Sequence, residues 1–273
     1  MNNFFVRTLT GIVFVIAIIG SIVISHYLFS LLFLVVTIFT MLEFYKLVDS
    51  GLAIKTQKES GVLIGSILFI LSSLSSLGLA NPNLLSVVFP LTGLLFIAEM
   101  YRKKANPFLN ISMTLAGIFY IALPFSMLNF FYTPDFDFSK STHEVLLGFF
   151  FILWVNDTFA YLVGSSIGKH RLFERISPKK SWEGSVGGFV FGLLTAWGVS
   201  YFFKDLELNN WLIIAAIIMI FGTFGDLVES LFKRSLNVKD SGSILPGHGG
   251  LLDRFDAVFL AAPAVFVYLM LIN

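Results

Sequence analysis

Between residues 226 and 256 the chain concentrates side chains suited to phosphate chemistry. Asp253 and Asp256 stand at i, i+3, so one helical turn brings both carboxylates to the same face. With Asp226 from the preceding helix they could supply hard oxygen ligands to Mg²⁺, an ion that takes one or two carboxylates and fills its other positions with water and substrate phosphate. Lys233, Arg234, Lys239 and Arg254 surround them in sequence and are cations suited to phosphate oxygens. Pro246-Gly-His-Gly-Gly250 is a glycine-rich turn directly before a helix, where bare N–H groups and the helix N-terminus favour an anion. His248 in that turn is a candidate acid, a phosphate donor or a turn residue. The set reads as metal-assisted phosphoryl or nucleotidyl transfer.

Further carboxylates stand inside apolar stretches, where an ionisable group costs several kcal/mol unless it is paired or wetted. Asp226, Glu229, Ser230 and Lys233 are spaced i, i+3, i+4, i+7 and share one helix face. Asn156 and Asp157 make a polar spot with about ten apolar residues on its outer side. Glu43 and Glu99 lie near span ends, where snorkelling toward water gives them structural roles. Familiar nucleotide motifs are missing. Gly164-Ser-Ser-Ile-Gly-Lys-His170 falls one residue short of a P-loop between its glycines and ends on His instead of Ser or Thr.

The elements that must position these groups follow from composition. Of 273 residues, 56% are apolar, 13% are charged and 32 are Phe. A soluble domain carries about 25% charge, so an ordinary soluble domain, a disordered chain and a nucleic-acid binder are excluded. The absence of cysteine excludes disulfides, Cys-ligated zinc, iron–sulfur clusters and thiol catalysis. The expected fold is an all-α polytopic membrane protein. Nine stretches approach the ~20 apolar residues that cross a bilayer: Thr8–Ser25, Tyr27–Lys46, Gly61–Ala80, Leu84–Tyr101, Ile111–Tyr132, Glu144–Ser166, Gly184–Phe203, Trp211–Ser230 and Phe255–Ile272. No cleavage site follows the first, which reads as a retained span and not a signal peptide. The least distinct boundaries are those near His26 and at Asn81-Pro82-Asn83.

With the N-terminus cytoplasmic, Arg7, Lys46, Lys55, Lys58, Arg102, Lys103, Lys104, Lys169, Arg171, Arg175, Lys179, Lys180, Lys233, Arg234, Lys239 and Arg254 all fall inside, and only Lys140 and Lys204 outside. That asymmetry predicts a cytoplasmic N-terminus and an external C-terminus. Spans one to four (1–110), spans five and six with a basic cytoplasmic loop (111–183) and spans seven to nine with the charged segment (184–273) form three expected blocks.

Residues Ser230–Asp256 follow S-x-aliphatic/Phe-K-R-x4-K-D-x-small-x2-L-P-x-H-G-G-L-x-D-R-F-D without departure. This stretch resembles the long signature of the CDP-diacylglycerol synthases, also called phosphatidate cytidylyltransferases. Asn156–Tyr161, Gly168-Lys-His170 and Ile176-Ser-Pro-Lys-Lys-Ser-Trp-Glu-Gly184 are similar to that family's other well-known stretch. The first half of the chain matches only as a set of apolar spans.

The resemblance implies that CTP and phosphatidic acid give CDP-diacylglycerol and pyrophosphate, with Mg²⁺ and a second, monovalent cation such as K⁺ in the site. By motif position, Asp226, Asp253 and Asp256 would hold the metals. Lys233, Arg234, Lys239, His248 and Arg254 would handle phosphates, with Asp240 beside them in the catalytic set. Ser177, Lys179, Lys180, Ser181, Trp182 and Glu183 would form another wall. Asn156, Asp157, Glu229, Ser230, Gly249 and Gly250 join that wall as substrate-binding candidates. The expected setting is a cell membrane with the active site facing the cytoplasm, membrane lipids around it, a homodimeric state and no nucleic-acid partner. Three other readings make distinct predictions. A CDP-alcohol phosphotransferase would need D-G-x2-A-R…G-x3-D-x3-D, which is absent. A CTP-dependent lipid or polyprenol kinase would release CDP. An ion-coupled transporter would need charges near the bilayer midplane.

Overall fold

The computed structural model describes residues 3–133, 142–242, 244 and 249–272, with side chains from Thr8 onward. Eight of its helices are long and apolar enough to cross a membrane, and a shorter apolar helix covers Thr8–Ile24. The chain is therefore an integral membrane protein of the all-α class, as its composition requires. In a bilayer every backbone polar group must find its partner within the protein, and helices meet that condition locally.

The two least distinct boundaries are real. The first helix, α1 (Asn3–Ile24), is separated from α2 (His26–Gly51) by Ser25 alone. Ser25 adopts extended backbone and its hydroxyl accepts from the Tyr27 N–H, an N-cap that restarts the helix after one residue. α3 spans Lys58–Ser76. Asn81 then caps a 3-10 turn, Pro82–Val87, by accepting from Asn83 N, with Pro82 at the turn's first position. α4 (Val88–Arg102) ends on Lys103 in the left-handed region, and α5 (Pro107–Gly117) begins after a left-handed Asn106.

The expected fifth span is longer and less regular than a single helix. After α5 come a π turn (Ile118–Ala122), the short α6 (Leu123–Met127) and a 3-10 turn (Leu128–Tyr132). Pro124 accounts for the break: it offers no N–H and its ring presses on the carbonyl four residues earlier, so the preceding turn widens.

Contacts divide the chain into two units, Met1–Phe130 with Ser235–Phe255, and Phe131–Arg234 with Asp256–Asn273. In the first, Phe33, Phe125 and Phe255 meet edge to face with centroids 5.1–5.7 Å apart, and Phe14 stands 5.5 Å from Phe255. These contacts seat the residues that open the last helix, α10 (Leu252–Ile272). Glu99, buried at 4% exposure, accepts from Gln57, Arg102 and Asn110. It is structural, but it does not snorkel. Its charge is neutralised inside the protein and ties α4 to α5 and to the chain before α3.

The second unit holds α7 (Glu144–Ile167), α8 (Trp182–Phe202) and α9 (Leu208–Ser235). Small residues set the close approach of α7 and α8. A Cβ on Gly184 would lie 2.6 Å from the Ala160 carbonyl oxygen, and one on Gly188 would lie 2.7 Å from Asn156 Oδ1. Between α7 and α8 the basic loop folds into a hairpin that sequence reading did not foresee, β1 (Arg171–Phe173) against β2 (Ser177–Ser181).

Candidate active site

The second unit brings three of the expected carboxylates into one electrostatic neighbourhood. Asp157 comes from α7, Asp226 from α9 and Asp256 from α10. The charges of Asp226, Glu229 and Asp157 all act on Asp256, and Asp157 feels both Asp226 and Lys180. Gly225 makes this approach possible. A Cβ there would stand 2.5 Å from the Asp256 carbonyl oxygen and 3.1 Å from Ala257 Cα, so only a bare glycine lets α9 lie on the α10 backbone beside Asp226.

Each carboxylate has a defined local partner. Asp226 Oδ2 pairs with Lys180 Nζ at 2.6 Å, while its Oδ1 accepts from Ser230 Oγ at 3.3 Å. Asp256 Oδ1 accepts from the Ala257 N–H at 2.7 Å, and Asp157 Oδ1 accepts from Asn156 Nδ2 at 3.2 Å. Glu229, fully buried, pairs with Lys233 at 2.7 Å one turn further along α9. Among the described residues four carboxylates and two lysines gather here, and the mutual repulsion of the carboxylates favours an added cation.

The hairpin delivers Lys180. Glu183, at the start of α8, accepts from the backbone N–H groups of Lys169 and His170 at 3.1 and 3.2 Å and pairs with His170 Nδ1 at 2.6 Å. Ser181 caps α8 by accepting from the Gly184 N–H, and the Trp182 N–H donates to the His170 carbonyl. Glu183 and Ser181, expected in the pocket wall, therefore shape the hairpin with their polar atoms. Trp182 and Lys179 are exposed and Ser177 is half-buried.

The first unit holds the rest of the charged segment. Asp253 lies in the first turn of α10, one turn before Asp256 on the same helix. Its Oδ2 accepts from the Ser241 and Gly250 N–H groups at 3.0 and 3.1 Å. Gly249 adopts a positive φ of 86°, and a Cβ on it would stand 2.8 Å from that same oxygen. Lys239, Asp240 and Arg254 are exposed, as is Arg234 in the second unit. His248, with Pro246 and Gly247, lies outside the described residues.

Glu43 corrects an expectation. It does not snorkel: at 6% exposure it is buried, and it accepts from Ser241, Leu251 and Leu252. Those contacts bridge α2 and the signature segment across 198 to 209 residues of sequence, so no local pattern announced them. Gly225 was missed for a similar reason, because its function is the space it leaves.

The donor chemistry suits a hard divalent cation, since these are carboxylate oxygens with no thiolate among them. Among the described residues no three His, Asp or Glu side chains converge as a ready-made cage. Mg²⁺ does not demand one, since it keeps several waters and accepts substrate phosphate as a ligand.

The sequence matches the profile described as the cytidylyltransferase family over residues 5–272. It is 41% identical over 170 residues to proteins named phosphatidate cytidylyltransferase from Staphylococcus haemolyticus (strain JCSC1435) and Staphylococcus aureus (strain COL), and that match covers 62% of this chain and 62% of each relative. A third protein of that name, from Staphylococcus saprophyticus, is 38% identical over 192 residues, covering 70% of this chain and 71% of its own length.

Proposed function

This chain belongs to the cytidylyltransferase family, and we propose that it joins CTP to phosphatidic acid, giving CDP-diacylglycerol and pyrophosphate. The observation that carries this reading is the Asp226–Lys180 ion pair, with Asp157 and Asp256 close enough for their charges to act on one another and on Asp226. A soluble polyanion and a lipid phosphate both reach such a place, and the active site would face the cytoplasm, where CTP is. Transporter chemistry is disfavoured because Asp226 pairs with Lys180 of the basic hairpin and Asp256 lies in the second turn of α10, beside the charged segment.

Members of the family generally depend on a divalent metal ion. Here we assign it as Mg²⁺, held by Asp226 and Asp256, with Asp253 as the third carboxylate of the motif and K⁺ as a second, monovalent ion. When bound, the metal would supply positive charge to the triphosphate. The chain's own residues do the rest. Lys180, held by Asp226, offers an ammonium to phosphate oxygens, and Lys233 does so from the next turns of α9. Lys239 and Arg254 add two exposed cations, and His248 belongs to the glycine-rich stretch of sequence that the motif assigns to phosphate.

A phosphatidate oxygen attacks the α-phosphorus of CTP. A P–O bond forms there, the bond to the bridging oxygen breaks, and pyrophosphate leaves with that electron pair. The attacking oxygen is already ionised at neutral pH, so no protein nucleophile and no strong base are required. Charge neutralisation around the α-phosphate is the main demand on the site. Membrane lipids surround the reaction, and a homodimer is the assembly we assign.

The test follows pyrophosphate. With purified protein in vesicles, pyrophosphate release is expected only when CTP and phosphatidic acid are both present. Release of CDP would mark a lipid kinase and contradict the proposal.

A further inference from the structure

Glu43 lies outside every segment that the proposed chemistry uses, yet its carboxylate is buried against the signature segment. The Ser241 hydroxyl donates to Oε1, the Leu251 N–H donates to Oε2 at 3.0 Å, and the Leu252 N–H donates to Oε1 at 3.4 Å. Leu252 begins α10, so the carboxylate also meets the positive end of that helix. Two glycines make room for it. A Cβ on Gly242 would lie 2.9 Å from Glu43 Cδ, and one on Gly250 would collide with the carboxylate oxygen. Asp253 completes the knot from the other side by accepting from the Ser241 and Gly250 N–H groups. Ser241 is thereby gripped twice, through its hydroxyl by Glu43 and through its N–H by Asp253.

We propose that Glu43 is a positioning residue for the transfer reaction: its carboxylate fastens Ser241 to Leu251 and Leu252, and so fixes the chain two residues from Lys239 and two residues from Arg254. This rests on the function proposed above. Core packing alone would be met by any apolar side chain of that size. What Glu43 supplies is two acceptor oxygens for three donors, and only a carboxylate provides both.

Glu43→Gln tests this with nearly unchanged volume. An amide accepts through one atom only. Whichever way it turns, Leu251 or Leu252 loses its acceptor, because the Ser241 hydroxyl can reverse its role and a backbone N–H cannot. In the protein in micelles, amide exchange at residue 251 or 252, whichever loses its acceptor, is expected to accelerate about tenfold in E43Q. Exchange in α3 to α5 stays as in the wild type. In kinetics, KM for CTP rises and kcat falls, lowering kcat/KM about tenfold or more, because displacements of an ångström are costly at a reacting centre. Glu43→Asp keeps both oxygens and restores part of the loss. Ser241→Ala, which removes one donor, shifts the same parameters in the same direction by less.

Exchange unchanged at both 251 and 252 in E43Q overturns the proposal, as does faster exchange with unaltered CTP kinetics. Acceleration spread evenly over α3 to α5 would make Glu43 a general core contact and also overturns it. The exchange experiment needs no substrate. If the wild type fails to use CTP and phosphatidic acid, the proposed function fails, while the hold of Glu43 on the segment is still measured.

Discussion

Asp256→Asn should lower turnover by about 10³-fold, the scale on which removing a charge-stabilising group acts, while leaving thermal stability unchanged or higher. The two halves of this expectation have one cause. Asp256 stands among the charges of Asp226, Glu229 and Asp157, and it accepts a hydrogen bond from the Ala257 N–H. An Asn oxygen can accept that same N–H, so the helix keeps its geometry. Removing the charge relieves repulsion in the folded state and takes away the ligand proposed for the divalent ion. Activity and stability are therefore expected to move apart. A residue retained for packing would behave oppositely and lose stability when changed. Thermal unfolding in detergent, read beside the rate of pyrophosphate release, separates these outcomes. Retained turnover would remove Asp256 from the site.

The second large effect belongs to a residue with no side chain. Gly225→Ala would place a Cβ 2.5 Å from the Asp256 carbonyl oxygen and 3.1 Å from Ala257 Cα. Backbone atoms cannot rotate aside, so α9 and α10 must separate locally. Overpacking of this kind costs roughly 1–3 kcal/mol. The larger consequence is for chemistry, because Asp226 and Asp256 move apart, and a displacement near an ångström can cost about 10²-fold in rate. Gly222, one turn earlier on the same helix, is the control. Its added Cβ would meet Leu153 and Ala257 side-chain carbons at 3.4 and 3.5 Å, an ordinary contact. Gly222→Ala is thus expected to retain most activity and stability. Equal behaviour of the two alanines would show that the approach of α9 to α10 at Asp256 is not what the site depends on.

Much of this was legible in the sequence. The apolar stretches emerge as helices because a bilayer-sized run of apolar residues has few other folded solutions. The overshoot of α9 has a physical reason. Hydropathy ends the span at Ser230, but the helix continues to Ser235, with the Glu229–Lys233 pair supporting the polar turns. At 28 residues it is about 42 Å long, more than the ~30 Å hydrocarbon core requires.

What stayed hidden was tertiary. The hairpin is built from strands of three and five residues, one containing Pro178 and two lysines, and it persists because Glu183 and Ser181 gather its backbone ends. No propensity would select it. Glu43 looked like a charge near a span end because its partners lie on the other side of the chain's length. Snorkelling was the right expectation for an exposed carboxylate and the wrong one for a carboxylate with three donors waiting.

The central claim is that a cytidylyl group passes from CTP to a lipid phosphate at the Asp157–Asp226–Asp256 cluster. The most direct measurement uses CTP labelled at the α-phosphate with wild-type protein and Asp226→Asn, each in vesicles containing phosphatidic acid. Label is expected to enter the lipid fraction with the wild type, matched mole for mole by pyrophosphate, and to stay in the aqueous phase with D226N. Wild-type label that never reaches the lipid, or D226N protein that transfers it at the wild-type rate, would contradict the claim.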